Sequence, residues 1–206
     1  ATAPPAVRLG ESPAEWSRDD ARRAASDALA AGKIGVVIVA GGEGSRLGFR
    51  HAKGLFPIGP ISGASLLQVH FEKIDAIGRR HGRPIPLYLM TSPTTQETVD
   101  FLAKNDHFGL SASQITTFCQ GTMPALDAAG KLLMASPSSL CLSPDGHGGA
   151  IAAMARSGAL ADVADRGIST IFYCQVDNPL APICDLDLLG DHLLSGSEMT
   201  TSVVAK

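Results

Sequence analysis

The stretch GVVIVAGGEGSRLG, at residues 35–48, decides the fold class of this chain. Its first part, residues 35–40, is a run of apolar and mainly β-branched residues, which is typical of a parallel strand buried on both faces. Its second part, residues 41–48, places four glycines and one arginine directly after that strand. Ligands of open α/β sheets bind at the carboxyl ends of strands, so this loop is the first candidate binding site.

Strand and helix patterns alternate along the rest of the chain. Apolar runs predict strands at residues 86–90, 115–119, 170–176 and 199–204, and stripes at helical spacing predict helices at 14–31, 65–80, 94–104, 149–166 and 185–194. We expect a β-hairpin at residues 125–135 and a break near Gly158 in the helix that starts at residue 149. The alternation predicts an α/β fold with a mixed, mainly parallel sheet and helices on both faces.

Three polar clusters follow predicted strands, at Gly41–Lys53, Gln120–Gly121 and Asp177. These positions correspond to the carboxyl ends of the strands, so the clusters are expected at the ligand-binding edge of the sheet. The histidines at positions 51 and 70 show no spacing typical of metal ligands. We therefore expect them on the surface or satisfied in the core.

The composition excludes several classes of protein. The chain has 206 residues, 45% of them hydrophobic and 18% charged, and a net charge of −3, which suits one globular domain or part of a larger one. The weak negative charge offers no basic field for nucleic acid. No signal peptide and no membrane-spanning run are recognisable, and the four cysteines form no C-x-x-C pair. We expect a cytoplasmic protein with reduced, mostly buried thiols, and neither a membrane nor a nucleic-acid partner.

The two ends of the chain suggest how it is divided. Residues 1–32 are expected to form a helical lead-in, with Pro13 at the first position of the helix. Residues 33–206 are expected to form the α/β domain that carries the three polar clusters. Because the sequence stops within the predicted strand at 199–204, we expect this domain to be incomplete at its C-terminus.

Three ligand-binding interpretations compete for the loop at residues 41–48. A Walker A loop requires G-x-x-x-x-G-K-[ST], and this spacing is absent. A dinucleotide fingerprint requires G-x-G-x-x-G; Gly42 and Gly44 fit it, but Leu47 occupies the third glycine position. No acidic residue closes a second strand about 20 residues further on, which also disfavours an NAD-dependent oxidoreductase.

The third interpretation is a loop that holds the phosphates of a nucleoside triphosphate. Glycines allow positive φ angles and a close approach of the backbone, whose N–H groups can form an anion-binding concavity. Arg46 can bind phosphate oxygens with a bidentate fork, and Lys53 adds a compact second cation. A plain Gly-rich turn between a strand and a helix is the alternative without a ligand.

Residues 41–48, followed by Lys53-Gly54, resemble the signature of the UDP-sugar pyrophosphorylases, most closely the UDP-N-acetylhexosamine branch. Further motifs similar to that family occur in the same order: LMTS at 89–92, FGL at 108–110, FCQG at 118–121, MPA at 123–125, PDGHGG at 144–149 and VDN at 176–178. The resemblance spans about residues 35–206 and implies a Rossmann-like, GT-A-like nucleotidyltransferase fold. It implies that residues 33–206 form the nucleotide-binding part of a catalytic domain that is truncated at its C-terminus. Members of the family are longer and draw part of the sugar pocket, and a further phosphate-binding lysine, from later segments.

The resemblance also implies roles for individual residues. It implies nucleotide contacts from Ala40, Gly41, Gly42, Gly44, Ser45, Gln120 and Gly146. Gln120 would read the base, and a Gln side chain has the donor and acceptor that match the edge of uracil. Arg46 would stabilise the leaving pyrophosphate as a catalytic residue, and Lys53, also catalytic, would bind the phosphates near the reacting centre.

Two further residues bear on the metal and on the sugar. Asp177 follows an apolar strand, where a carboxylate needs a partner, and the resemblance implies that it holds Mg²⁺ or Mn²⁺. His147 would bind the sugar. The N-acetylhexosamine enzymes usually carry Asn at that position and the UDP-glucose enzymes carry His, so the sugar stays open.

The implied reaction converts UTP and a sugar 1-phosphate, by preference N-acetylglucosamine 1-phosphate, into a UDP-sugar and pyrophosphate. Such a reaction depends on alignment and charge neutralisation. The alternatives are a UDP-glucose or broad-specificity UDP-sugar pyrophosphorylase, and a nucleotide-binding module without turnover. Because later segments contribute to the site in the family, the chain alone is expected to bind nucleotide weakly or to be inactive.

Overall fold

The computed structural model describes residue 11 and residues 15–92 and 95–203. Its strands lie at Ile34–Val39 (β1), Leu87–Thr91 (β2), Ile115–Cys119 (β3), Thr122–Pro124 (β4), Met134–Ser136 (β5), Ser139–Leu140 (β6), Leu142–Pro144 (β7) and Thr170–Gln175 (β8). The central sheet has four parallel strands in the order β3-β2-β1-β8, and Val36 lies opposite both Leu87 and Phe172. The four predicted strands are therefore present, but only β1 and β2 are buried along their length, whereas β3 and β8 are partly exposed.

Helices cover both faces of this sheet. They lie at Arg18–Ala30 (α1), Leu66–Arg80 (α2), Thr95–Lys104 (α3), Ala150–Ser157 (α4), Ala159–Asp165 (α5) and Leu186–Ser195 (α6). Alternate residues of the strands point to opposite faces, so that Val36 and Ile38 join one core with α1, α2, α3 and α6. Val37, Tyr88 and Met90 join a second core with α4 and α5. The predicted α/β class, with helices on both faces, is confirmed.

Most predicted helices begin and end within two residues of their observed bounds, and the exception is the first. Helix α1 begins at Arg18, because Ser17 caps it and forms a capping box with Asp20. The prediction of a start at residue 14 is therefore wrong, while Pro13 lies outside the described residues. Trp16 precedes the helix and donates from its indole Nε1 to Asp191 at 2.8 Å. Because Arg18 also bonds Asp191, α1 is held against α6.

The predicted break between two helices occurs where it was expected. Gly158 has φ of +83° and separates α4 from α5. The predicted β-hairpin is also present: Leu126 pairs with Leu132 across a turn in which Asp127 N donates to Lys131 O at 2.9 Å. Strands β4 to β7 form two small antiparallel sheets next to this turn, which makes the whole fold mixed.

The strand predicted at residues 199–204 is absent from residues 199–203, and Val204 lies outside the described part of the chain. Met199 and Val203 are 82% and 81% exposed. A strand needs a neighbouring strand to satisfy its backbone, and this segment pairs with none among the described residues. The prediction of a strand in this segment is therefore wrong for residues 199–203.

The order of the strands sets the position of the site. The chain runs from β1 outward to β2 and β3, then returns through α4 and α5 to β8 on the other side of β1. The direction of the crossovers thus reverses between β1 and β8, and such a switch point forms a crevice at the carboxyl ends of the strands. Within the described residues, no helix is long and apolar enough to cross a membrane.

Candidate functional site

The loop after β1 is fixed to the end of β3. The Gln120 side chain is 6% exposed, and its Nε2 donates to the Gly41 carbonyl oxygen at 2.7 Å. A Cβ on Gly41 would lie 2.6 Å from the Gln120 carboxamide carbon, so this position accepts only glycine without rearrangement. Gln120 and Ala40 also donate from their backbone N–H groups to the end of β2, at Thr91 and Met90. The ends of three strands are therefore joined.

The loop folds back on itself. Glu43 pairs with Ala52 in an antiparallel bridge, and Gly44 N donates to His51 O at 3.0 Å. A 3-10 turn at Ser45–Leu47 ends at Gly48, whose φ is +67°. Gly44 itself is buried, because the ring of Phe49 packs against its Cα.

Four amides of this loop remain available to an anion. The N–H groups of Gly42, Glu43, Ser45 and Arg46 donate to no other residue that the structure describes. Gly42, Glu43 and Ser45 are exposed. Successive unpaired amides in a tight turn can bind phosphate oxygens, as the sequence suggests. Arg46 lies in the 3-10 turn, but its side chain is outside what the structure describes.

Lys53 and Asp177 meet at the switch point. Lys53 Nζ lies 2.8 Å from Asp177 Oδ2, and the two side chains are 22% and 40% exposed. Lys53 begins a short 3-10 turn that leads toward α2, and Asp177 lies two residues after β8. The structure thus joins two residues that the sequence placed in separate clusters.

Asp177 is the residue at which the sequence predicts a metal ion. Among the described residues, no group of three or more His, Cys, Asp or Glu side chains could hold a metal ion. Mg²⁺ commonly takes only one or two protein carboxylates and completes its shell with water and substrate phosphates. Asp177, a partly exposed carboxylate that contacts Lys53, fits that pattern.

The segment from Gly121 to Gly149 contributes the other part of the candidate site. Asp145 N donates to Gly121 O at 3.0 Å, and a Cβ on Gly121 or Gly149 would lie 2.1 or 2.0 Å from the Asp145 carboxylate. These glycines allow the carboxylate to pack between two stretches of backbone. Gly146 has φ of +67° and precedes the 3-10 turn at His147–Gly149, which opens α4.

His147 is paired with a residue that the sequence did not single out for the site. Its Nδ1 lies 2.7 Å from the hydroxyl of Tyr173, and the two rings meet edge to face at a centroid distance of 6.0 Å. Burial raises the pKa of Tyr173, so its hydroxyl stays protonated at neutral pH. No hydrogen bond in the described part of the chain joins His147 to Lys53 or Asp177.

Two further residues, Glu97 and His70, bind the backbone next to Lys53 and Asp177. Glu97, on α3, accepts from Ala52 N at 3.3 Å and pairs with His51. His70, on α2, is buried and its Nε2 bonds the Val176 carbonyl oxygen at 2.9 Å. These contacts could not be predicted from the sequence, because each joins segments that are far apart along the chain.

Comparison with known proteins places these features in a wider context. The family described as UTP–glucose-1-phosphate uridylyltransferase matches residues 14–206. UDP-N-acetylglucosamine diphosphorylase 1 of Arabidopsis thaliana is 40% identical over 186 residues, which cover 85% of this chain and 37% of the relative. UDP-N-acetylglucosamine pyrophosphorylase of Saccharomyces cerevisiae is 39% identical, with coverage of 87% and 39%.

A solved structure agrees with these relatives. The uridine diphosphate N-acetylglucosamine pyrophosphorylase of Trypanosoma brucei, solved with an inhibitor, has a TM-score of 0.80 at 28% identity. The match covers 87% of this chain and 39% of that one. The chain therefore spans about two fifths of the length of the proteins that it matches.

Proposed function

Because this chain belongs to the UTP–glucose-1-phosphate uridylyltransferase family, we propose that it carries the nucleotide-binding part of a uridylyltransferase that acts on UTP and a sugar 1-phosphate. The observation that supports this most is the meeting of Lys53 and Asp177, 2.8 Å apart, beside a turn in which four amides have no partner among the described residues. A cation, a carboxylate and free N–H groups at one switch point suit a metal-bound polyphosphate.

The phosphates of UTP would bind in this turn. The amides of Gly42, Glu43 and Ser45 would bind phosphate oxygens, and Lys53 would place its ammonium on the phosphates near the reacting centre. Arg46 lies in the same turn at the level of the backbone, and we assign it to the leaving pyrophosphate. Donors arranged in advance stabilise developing charge without reorganising at the moment of reaction.

The reaction is an in-line displacement at the α-phosphorus of UTP. A phosphate oxygen of the sugar 1-phosphate forms the new P–O bond, and the bond between the α-phosphorus and the α,β-bridging oxygen breaks. That oxygen leaves with its electron pair as part of pyrophosphate, and the second product is the UDP-sugar. The protein aligns two anions and offsets their repulsion, which can supply a large part of the rate enhancement.

Asp177 is the residue that we assign to the divalent cation, Mg²⁺ or Mn²⁺. The bound cation would neutralise phosphate charge near the α-phosphorus. The Asp177 carboxylate is 40% exposed and already faces one cation, the ammonium of Lys53. One carboxylate together with phosphate oxygens and water is a sufficient donor set for Mg²⁺.

The base would be recognised on the other side of the loop. We assign the recognition of uracil to Gln120 and Gly146, and a further contact with the nucleotide to Ala40. The Gln120 carboxamide donates once to Gly41 and keeps a second N–H and an acceptor oxygen. This bond also links recognition of the base to the conformation of the phosphate loop.

The sugar is assigned to His147, with N-acetylglucosamine 1-phosphate as the first choice because the relatives at 39–40% identity are named for it. Glucose 1-phosphate is the second choice, since His147 replaces the Asn that is usual in N-acetylhexosamine enzymes.

We place the protein in the cytoplasm. All four cysteines are free, which suits a reducing compartment.

The test is release of pyrophosphate from UTP with glucose 1-phosphate, galactose 1-phosphate or N-acetylglucosamine 1-phosphate. It is carried out on the chain and on the full product of its gene, with ATP and GTP in place of UTP as controls. Turnover with UTP and one of the sugar phosphates supports the proposal. Binding of UTP without pyrophosphate release in the full product favours a binding module, and no binding of UTP refutes the proposal.

A further inference from the structure

Helix α2 has one face that contacts both halves of the site. Leu67, His70 and Lys73 are three residues apart and therefore share a face of the helix. At the N-terminal end of this face, a Cβ on Gly54 would lie 2.8 Å from Leu67 Cγ, so the backbone next to Lys53 rests directly on α2. The half of the site that contains Lys53 therefore packs against the first turn of α2.

The half of the site that contains Asp177 is bound by the next turn of α2. His70 is fully buried, and its Nε2 lies 2.9 Å from the Val176 carbonyl oxygen, one residue before Asp177. Burial lowers the pKa of His70, so its imidazole is neutral at neutral pH and carries one N–H group. A carbonyl oxygen can only accept, so that hydrogen lies on Nε2. Nδ1 has no hydrogen-bond partner among the described residues.

Lys73 binds the backbone that follows Asp177. Its ammonium donates to the carbonyl oxygens of Pro179 and, at 3.2 Å, of Ala181. Within the turn, Ala181 N donates to Asn178 O at 3.1 Å. Three carbonyl groups that flank Asp177 are therefore bound by side chains of α2.

We infer that His70 and Lys73 are positioning residues of the site. Together they fix the turn at residues 176–181, so that the Asp177 carboxylate stays within reach of Lys53 and of a divalent cation on the phosphates. The cation part of this inference rests on the proposed function of Asp177. Neither residue is expected to touch the substrate, because the polar atoms of both are bound to backbone carbonyl groups of the turn.

The test compares variants of α2 in which a hydrogen-bond donor is either removed or retained. Lys73→Met removes the ammonium and keeps the stem, whereas Lys73→Arg retains the charge and the donors. His70→Leu removes the N–H group, and His70→Gln can restore one at similar reach. Glu72→Gln, an exposed change on the same helix, is the matched control.

The first measurement is amide hydrogen exchange of the chain without ligand. In Lys73→Met and His70→Leu we expect exchange at residues 176–183 to be about tenfold faster, because a hydrogen bond from a charged donor or to a buried group is worth roughly a factor of ten. Strand β1 should keep its protection in all variants. The Arg and Gln variants and Glu72→Gln should remain close to the unaltered chain.

The second measurement is the Mg²⁺ dependence of UTP binding by calorimetry. Lys73→Met should need about tenfold more Mg²⁺ for half-maximal binding, while UTP binding in EDTA stays unchanged. Faster exchange at residues 176–183 supports the inference even if neither the chain nor the full product of its gene binds UTP, a result that would refute the proposed function alone. Unchanged exchange there, or an unchanged Mg²⁺ requirement in a chain that binds UTP, overturns the inference.

Discussion

Replacing Gly41 by alanine tests how the candidate site is built. A Cβ at this position would lie 2.6 Å from both Cδ and Oε1 of Gln120 and 2.8 Å from its Nε2. Real Cβ atoms do not approach this closely, so either the loop or the carboxamide must move by about 1 Å. Gln120 is only 6% exposed, and its hydrogen bond of 2.7 Å to Gly41 would break as it moves.

The size of the effect follows from these contacts. A buried donor that loses its acceptor costs about 1–3 kcal/mol, and an added methyl group in a packed site costs about 1–3 kcal/mol. Alanine in place of glycine returns about 0.4–1 kcal/mol by restricting the unfolded chain. We therefore expect Gly41→Ala to lower the free energy of unfolding by about 3 kcal/mol, and Tm by about 6–12 °C for a chain of this length.

Gly42→Ala is the matched control for this experiment. At Gly42 the nearest atom to an added Cβ is Lys53 Cε at 3.9 Å, which is ordinary contact. The control should therefore unfold within about 1 kcal/mol of the unaltered chain. Thermal and urea unfolding followed by circular dichroism measure both variants. In the double variant Gly41→Ala, Gln120→Ala the crowding is gone, so part of the lost stability should return. Equal stability of the two glycine variants, or no recovery in the double variant, would refute the reasoning.

Three further predictions follow from the site. Lys53→Met should weaken UTP binding about tenfold or more in calorimetry yet change the free energy of unfolding by less than about 1 kcal/mol, because the pair with Asp177 is partly exposed; a large loss of stability with normal binding would contradict this. Tyr173→Phe should alter the tautomer balance of the His147 ring in ¹⁵N NMR and raise KM for the sugar phosphate several-fold with UTP affinity unchanged. In the native chain at pH 8, a thiol reagent should modify the exposed Cys119 and spare Cys184, since burial raises the pKa of Cys184 to about 12 and ionisation would require a higher pH; rapid labelling of Cys184 would show that this region opens.

The sequence was sufficient to predict the two central strands, because β1 and β2 are buried along almost their whole length. Residues 35–40 contain no polar position, so the pattern admits only a central strand, and β1 was predicted to within a residue. The strand prediction failed at residues 199–203, where three hydroxyl residues separate Met199 from Val203 and no neighbouring strand is found in the described part of the chain. Pairing is a property of the whole sheet, and a single segment cannot encode it.

The candidate site was predictable only where a residue type follows a strand. Lys53, Gln120 and Asp177 were placed correctly at the carboxyl edge, since topology brings all parallel strands to the same edge. Their partners were not predictable. The contact of Gln120 with Gly41 joins residues 79 apart and that of His70 with Val176 joins residues 106 apart, and both depend on how the segments pack.

The contact between Lys53 and Asp177 suits a site that must exchange partners. The two side chains are 22% and 40% exposed, and such pairs contribute at most about 1 kcal/mol to stability. Lys53 can therefore leave the carboxylate for a phosphate with little loss, and a divalent cation on Asp177 would replace the charge that it gives up. A buried pair could not do this, because separating it would leave a charge without a partner in a medium of low dielectric constant. Under the proposed function, the partial exposure of this pair is what allows the two residues to serve the phosphates and the metal separately.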